Sequence, residues 1–400
     1  MKRDFVVAHP FRHHALELCA GLSRSGASFQ LLTPFYKKGL GSFVARLPLA
    51  MGTRANGYWH PEIRESDVVC PPWTQLQRLV VGAIDPDRFA PVFDRAIARY
   101  VRRNAPKMHC LITLQDYMPL TVAAAADTGV KIWSDQILNQ SASAMQRIGA
   151  HYESLGLTLP KHDETENLRI VQRSSVITVP SAYCETGIAD HVAAGRVVHK
   201  IPYGTSLPRK QNESADTAAV FNIVARANSV RKGGHLVLRA VERWGAQWRS
   251  ALDGKELRIT ILGEFEPALA RLLSEIRIPD GIRVVHGNVP HALVSNVYCS
   301  GHLFLMPSLS ESLSLACLEA LAFGLPMVVT HYTGVEDIEE NCGVYVSDDI
   351  DSVGAGVLQM LERRRHFREM GRNARQMAAS RYSWSDYRDR IARLAQDMAA

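Results

Sequence analysis

The sequence predicts an α/β protein of two domains, each built on a parallel sheet. Strand-helix-strand patterns recur through both halves, and 400 residues is about the length of two ordinary domains. Between the halves lies a polar stretch, 205–217, rich in Ser, Asn and Lys and carrying Pro208, which reads as a linker. The expected divisions are 1–204, 205–380 and a closing helical segment, 381–400.

In the first half, residues 5–8 read as a strand, 13–25 as a helix and 28–33 as a second strand. This β-α-β opening implies a parallel sheet with helices on its faces. The loop after the first strand, His9-Pro10-Phe11-Arg12-His13-His14, has no glycine fingerprint for a dinucleotide; the first glycine is Gly21. His9 or His13 therefore touches another substrate, or the loop is polar without a role. Strands over 109–114 and 130–133 end at Asp116 and Asp135. Ligands lie beyond the carboxyl ends of parallel strands, which puts both carboxylates within reach of chemistry, unless each is an ordinary helix N-cap. Helices are expected over 139–153 and 164–173, and a strand over 175–179.

The pattern restarts with strands over 220–224, 257–262, 282–285, 302–306, 327–330 and 343–346, and helices over 234–244, 267–276 and 315–323. Six βα-type units make a second Rossmann-like domain. Its first loop holds Arg226 and Lys232, able to neutralise a diphosphate by forked hydrogen bonds and by a point charge. Its helix over 315–323 is apolar on nearly every side except at Glu319. A carboxylate on a helix of that kind pairs with a cation or faces a cleft where a ligand supplies hydroxyls. The serine-rich turn before it, from Ser308 to Ser314, offers backbone N–H groups that suit a phosphate.

Composition narrows the class. At 46% hydrophobic and 22% charged, the chain is an ordinary globular one. No run approaches the roughly 20 apolar residues of a spanning helix, and the first ten residues are too weakly apolar for a signal peptide, so the expected location is cytoplasmic. Seven scattered cysteines without a CxxC pair read as buried small hydrophobes, not metal ligands or disulfides. Residues 1–200 carry 23 Lys and Arg against 17 Asp and Glu, while the remainder balances at 23 of each. Without a nucleic-acid-binding module, this basic half fits an anionic small partner or an anionic membrane surface, not nucleic acid. The stretch 37–48 and the run Arg95, Arg99, Arg102, Arg103, Lys107 are candidates for lipid contact, or are an ordinary loop and a solvated face.

An ordered set of residues then carries a family resemblance: Arg226 with Lys232-Gly233, Leu262-Gly263, His286-Gly287-Asn288-Val289, Pro307-Ser308, and Glu311 separated by seven residues from Glu319. With Ile201-Pro202-Tyr203-Gly204, Thr333-Gly334-Val335-Glu336-Asp337 and Tyr382-Ser383-Trp384, it resembles the retaining family-4 glycosyltransferases (glycosyl transferases group 1). The resemblance covers 200–390 well and the first half in outline. It implies the GT-B architecture, two Rossmann-like domains facing across a cleft, with the closing helix packed back on the first. It further implies a nucleotide sugar on the second domain, a saccharide or lipid-linked acceptor on the first, and no metal or cofactor. Glu319 would then bind the ribose, Arg226 and Lys232 the diphosphate, and Glu311 would face the sugar. Ser308 and the N–H groups of Ser312, Leu313, Ser314 and Leu315 would contact sugar and phosphate; Gly263, Glu264, Asn288 and Val289 would lie near the base. Asp135 stands where the family commonly has a histidine after this strand, and Ser312 where glycine is frequent. His9, His13 and Asp116 would meet the acceptor. The expected activity is hexosyl transfer in bacterial surface polysaccharide synthesis. The alternatives are an epimerase or hydrolase of the same architecture, or a silent donor-binding partner.

Overall fold

In the computed structural model, residues 3–10, 14–34, 36, 59–70, 86–114, 118–139, 141–159, 164–209, 219–339 and 342–399 are described. Buried, β-branched-rich runs form two all-parallel sheets. In the first, β1 (Arg3–Ala8), β2 (Phe29–Leu32), β3 (Val68–Val69), β4 (Met108–Leu114), β5 (Lys131–Asp135), β6 (Val176–Val179) and β7 (Val198–Lys200) are ordered β3-β2-β1-β4-β5-β6-β7. In the second, β8 (Val220–Ala225), β9 (Glu256–Leu262), β10 (Ile282–Gly287), β11 (Leu303–Met306), β12 (Met327–Val329) and β13 (Gly343–Tyr345) are ordered β10-β9-β8-β11-β12-β13. Both orders reverse direction beside the first strand of their sheet. That is where a crevice opens in such sheets.

The strands β4, β11 and β12 are buried almost throughout, as expected where helices cover both faces. β3 is too short to leave a periodic signature, and helices Pro119–Asp127, His291–Cys299 and Ile350–Glu362 go beyond the expected elements. The helix Gly234–Ala251 runs past 244, with Gly245 packed where an added Cβ would lie 2.6 Å from Ile282 Cδ1. The stretch 37–48 lies outside the described residues.

The domains are joined twice. Thr205 pairs with Ser383, and an added Cβ at Gly204 would meet the Trp384 nitrogen at 2.1 Å, so the two crossing segments lie in direct contact. From there the helix Trp384–Ala399 lies along the helix Ala15–Ser25. Arg388 pairs with Glu17 at 2.9 Å, Arg24 with Asp389 at 2.8 Å, and Gly21 fits against Ile391. No described helix is long and apolar enough to cross a membrane.

A second seam joins the helix Ala142–Ser154 of the first domain to the second. His151 stands between His235, at 2.9 Å, and Asp348, at 3.1 Å. Burial, reinforced by the neighbouring His151 and opposed by Asp348, lowers the pKa of His235 from 6.5 to about 3. Asp348 is held below the ordinary carboxylate range, chiefly by its hydrogen bond with His151. The unfolded chain therefore takes up a proton at His235 between those two pH values and the folded chain does not. Stability from this seam is full above about pH 6.5 and declines as pH falls towards 3, with a slope of at most about 1.4 kcal/mol per pH unit. Asp348 acts in the same sense lower down. Denaturation across this window, for the native chain and for His235→Gln, measures it; the substitution flattens the slope, and equal slopes would refute the assignment.

Candidate active site

A cleft of about 1150 Å³ runs between the carboxyl ends of the two sheets, lined by both domains. Its floor on the second-domain side begins at the loop after β8. Gly233 adopts φ 75° with its α-carbon face against Pro307, whose carbonyl oxygen would lie 2.0 Å from any added Cβ. Only glycine brings the loop this close to the turn after β11. Arg226 donates to the Leu262 carbonyl at 2.6 Å, and its guanidinium occupies the space a side chain at residue 263 would need.

The charged centre of the cleft is Glu311. Arg231 donates to Glu311 Oε1 at 2.8 Å and to the Ser310 carbonyl, and Lys232 Nζ lies 3.9 Å from the same carboxylate oxygen. Burial lowers the Lys232 pKa below its ordinary range; Glu311 opposes this and the charges of Arg226 and Arg231 add to it. Arg226, Arg231 and Lys232 line the cleft with Glu311 and Glu319, a local surplus of one positive charge that suits an anion. Arg231, not singled out in the sequence, is the strongest partner of Glu311.

Glu319 is an exposed residue on the cleft side of the helix Leu315–Phe323. Its side chain lines the cleft, as one of the two sequence options has it. Its carboxylate accepts from the Tyr298 hydroxyl at 3.0 Å, and that hydroxyl is kept protonated by burial and by the adjacent negative charge. Ser312, Leu313, Ser314 and Leu315 line the cleft as well. However, the Ser314 N–H donates to the Thr333 carbonyl at 2.9 Å and its hydroxyl caps the helix at Cys317 N. Ser314 thus shapes the turn and does not offer its N–H to a phosphate.

Gly263, Asn288 and Val289 line the far end. Glu264 is set back, accepting from Asn288 N–H at 3.2 Å and so fixing that turn. Ser308 is fully buried and donates to the Arg231 carbonyl at 3.1 Å, so it supports the cationic loop from beneath.

On the first-domain wall the sequence reading needs correction. Asp135 is buried and does not line the cleft. Its carboxylate is taken by His14 Nε2 and by the Thr178 hydroxyl, the latter at 2.6 Å; Thr178 in turn accepts from Trp133 Nε1 at 2.9 Å. His14 is the group that reaches the cleft, its ring 4.3 Å from that of Tyr203. A carboxylate behind an imidazole fixes its orientation and tautomer. His9 is likewise buried, with its N–H bonded to the Leu32 carbonyl at 3.2 Å, and is not among the cleft-lining residues. His13 and Asp116 lie outside the described residues. Among the described residues, no cluster of three or more His, Cys, Asp or Glu is arranged to hold a metal ion.

Two parallel α/β domains with the carboxyl ends of their sheets facing one cleft define the GT-B fold. Sucrose-phosphate synthase from Thermosynechococcus elongatus superposes over 100% of this chain and 99% of its own, with TM-score 0.66 and 15% identity. Anabaena HepE in complex with UDP-glucose superposes over 99% of this chain and 100% of its own, with TM-score 0.64 and 13% identity. Residues 206–377 match the family described as "Glycosyl transferases group 1". The MMP alpha-(1->4)-mannosyltransferase of Mycolicibacterium hassiacum is 24% identical over 56% of this chain and 56% of its own length. The D-inositol 3-phosphate glycosyltransferase of Corynebacterium urealyticum is 28% identical over 59% of this chain and 61% of its own. The chain thus spans little more than half the length of these curated relatives.

The anion-binding character of the cleft has a direct measurement. Arg231→Ala is expected to weaken binding of inorganic pyrophosphate about tenfold at low salt, the loss of a charge-assisted contact. Calorimetric titration reads it, and unchanged affinity removes Arg231 from the site.

Proposed function

We propose that this chain is a retaining glycosyltransferase of the family-4 type, moving a hexose-type sugar from a nucleoside diphosphate to a saccharide or lipid-linked saccharide acceptor. The observation that carries the reading is the convergence of Arg226, Arg231 and Lys232 with Glu311 and Glu319 in one interdomain cleft. Glu319 accepts hydrogen bonds from the ribose hydroxyls. The three cations neutralise the diphosphate without a metal ion, and gain most as the leaving group acquires charge. Glu311, paired with Arg231 and Lys232, accepts from the sugar hydroxyls.

In the transfer, the anomeric carbon–oxygen bond to the diphosphate breaks and its electron pair leaves on the phosphate oxygen. The acceptor hydroxyl forms the new bond on the same face, and its proton passes to the departing phosphate oxygen. His14, held by Asp135 on the opposite wall, bonds the sugar or the acceptor, the part first assigned to Asp135 itself. The MMP mannosyltransferase among the relatives supports a hexose donor by its name.

Nucleoside diphosphate sugars are screened for thermal stabilisation, and the best donor is then incubated with and without acceptor. The expected result is acceptor-dependent product with retained anomeric configuration, and Arg226→Ala slowing it by about 2–4 kcal/mol of transition-state stabilisation. Release of free sugar or an altered nucleotide sugar without acceptor would replace this reading by hydrolysis or epimerisation. Binding without any turnover would leave a donor-binding partner.

The acceptor side is read as membrane-associated, in surface polysaccharide synthesis. Arg95, Arg99, Arg102 and Arg103 are all exposed on the helix Pro86–Asn104, with Lys107 just beyond it. Such a face suits anionic headgroups at about 1 kcal/mol per residue near the surface. Co-sedimentation with anionic vesicles at low salt is expected, lost on reversing two of these charges; absence of binding ends the membrane reading.

A further inference from the structure

The loop that carries Glu311 is held from across the cleft. Arg147, on the helix Ala142–Ser154 of the first domain, donates through Nη2 to the Leu309 carbonyl at 2.9 Å. The same guanidinium lies 3.6 Å over the Tyr332 ring, and the Tyr332 carbonyl accepts the Glu311 N–H at 2.8 Å. Arg147 therefore touches both backbone segments that fix Glu311: the one leading into it and the one its N–H is bonded to.

Neighbouring first-domain groups act on the same loop. Tyr183 accepts from Arg147 Nη2 at 2.9 Å and donates to Ser310 Oγ at 3.2 Å. Ser181 Oγ donates to the Ser312 carbonyl at 2.5 Å. A charge-assisted hydrogen bond and a stacked cation outweigh these neutral contacts. Within its own domain the loop is tied to Arg231, whose carbonyl accepts the Leu309 N–H at 2.8 Å and whose guanidinium donates to the Ser310 carbonyl and to Glu311, so Arg147 adds the tether from the other domain.

We propose that Arg147 is a positioning residue: it sets the Glu311 carboxylate against the donor sugar only when the first domain is seated on the second, so that transfer waits on domain apposition. This rests on the reading of Glu311 given under the proposed function. Because Arg226 and Glu319 are not touched by Arg147, donor affinity and transfer rate separate.

The test compares the native enzyme with Arg147→Ala, Arg147→Lys and Lys200→Ala. Lys200 joins the domains through Glu336 at 2.9 Å without touching the Glu311 loop, and so controls for a general loosening of the interface. Nucleoside diphosphate titration, steady-state transfer and amide hydrogen exchange are measured on each. Expected for Arg147→Ala is a fall in kcat of about ten- to a hundredfold, the scale of a displaced catalytic group, with nucleoside diphosphate Kd changed less than about threefold. Exchange in the 308–313 segment accelerates. Arg147→Lys recovers little, since an ammonium cannot both fork and stack, and Lys200→Ala keeps native kcat and native exchange in that segment.

Native kcat in Arg147→Ala, unaltered exchange there, or equal losses in Lys200→Ala would each overturn the proposal. Native enzyme that transfers no sugar at all sinks the glycosyltransferase reading instead, and the exchange comparison then still decides whether Arg147 orders the loop.

Discussion

A carboxylate held among cations at the meeting of two domains is the constraint on which this structure depends. Glu311 alone in a half-buried cleft would be strongly disfavoured; with Arg231 at 2.8 Å and Lys232 at 3.9 Å it is compensated, and the cations are compensated in turn. The arrangement does not come to neutrality. Lys232 is already depressed by burial and by its fellow cations, so the cleft carries unspent attraction for an anion. The loop from Arg226 to Gly233, the turn from Pro307 to Ser314 and the start of the following helix are shaped around that charge balance.

The opposite wall is built on a different principle. The path from Trp133 through Thr178 and Asp135 to His14 is a chain of hydrogen bonds in which each polar group is buried and each has a partner. Such a chain fixes orientation more than it supplies charge. One wall thus binds by electrostatics and the other by geometry. The ring of Tyr203 under His14 ties that geometry to the segment where the domains join.

Most of the fold is legible in the sequence, as is the meeting of Arg226, Lys232, Glu311 and Glu319 in one cleft. Arg226, Lys232, Glu311 and Glu319 lie in two short stretches, each next to a strand end that hydrophobic patterning marks. The unread parts share one property, which is separation along the chain. His14 meets Asp135 across 121 residues and Arg147 meets Leu309 across 162, and no periodicity encodes such pairings. Among His9, His13 and His14 the sequence offers three similar side chains with nothing to say which turns outward. The burial of His9 and the exposure of Glu319 are decided by packing that the neighbouring residues do not announce. Arg231 is a different miss: it stands in a stretch already singled out, and only the curvature of the loop directs it to Glu311.

The helix Trp384–Ala399 completes the burial of the helix Ala15–Ser25, although the two are more than 350 residues apart. During synthesis, the face of the early helix around Gly21 has no partner until the late one has left the ribosome. The first domain is therefore made first and finished last. Throughout that interval its exposed apolar face is a surface for chaperone engagement or for self-association, and the time needed to cover it is set by translation of the entire second domain.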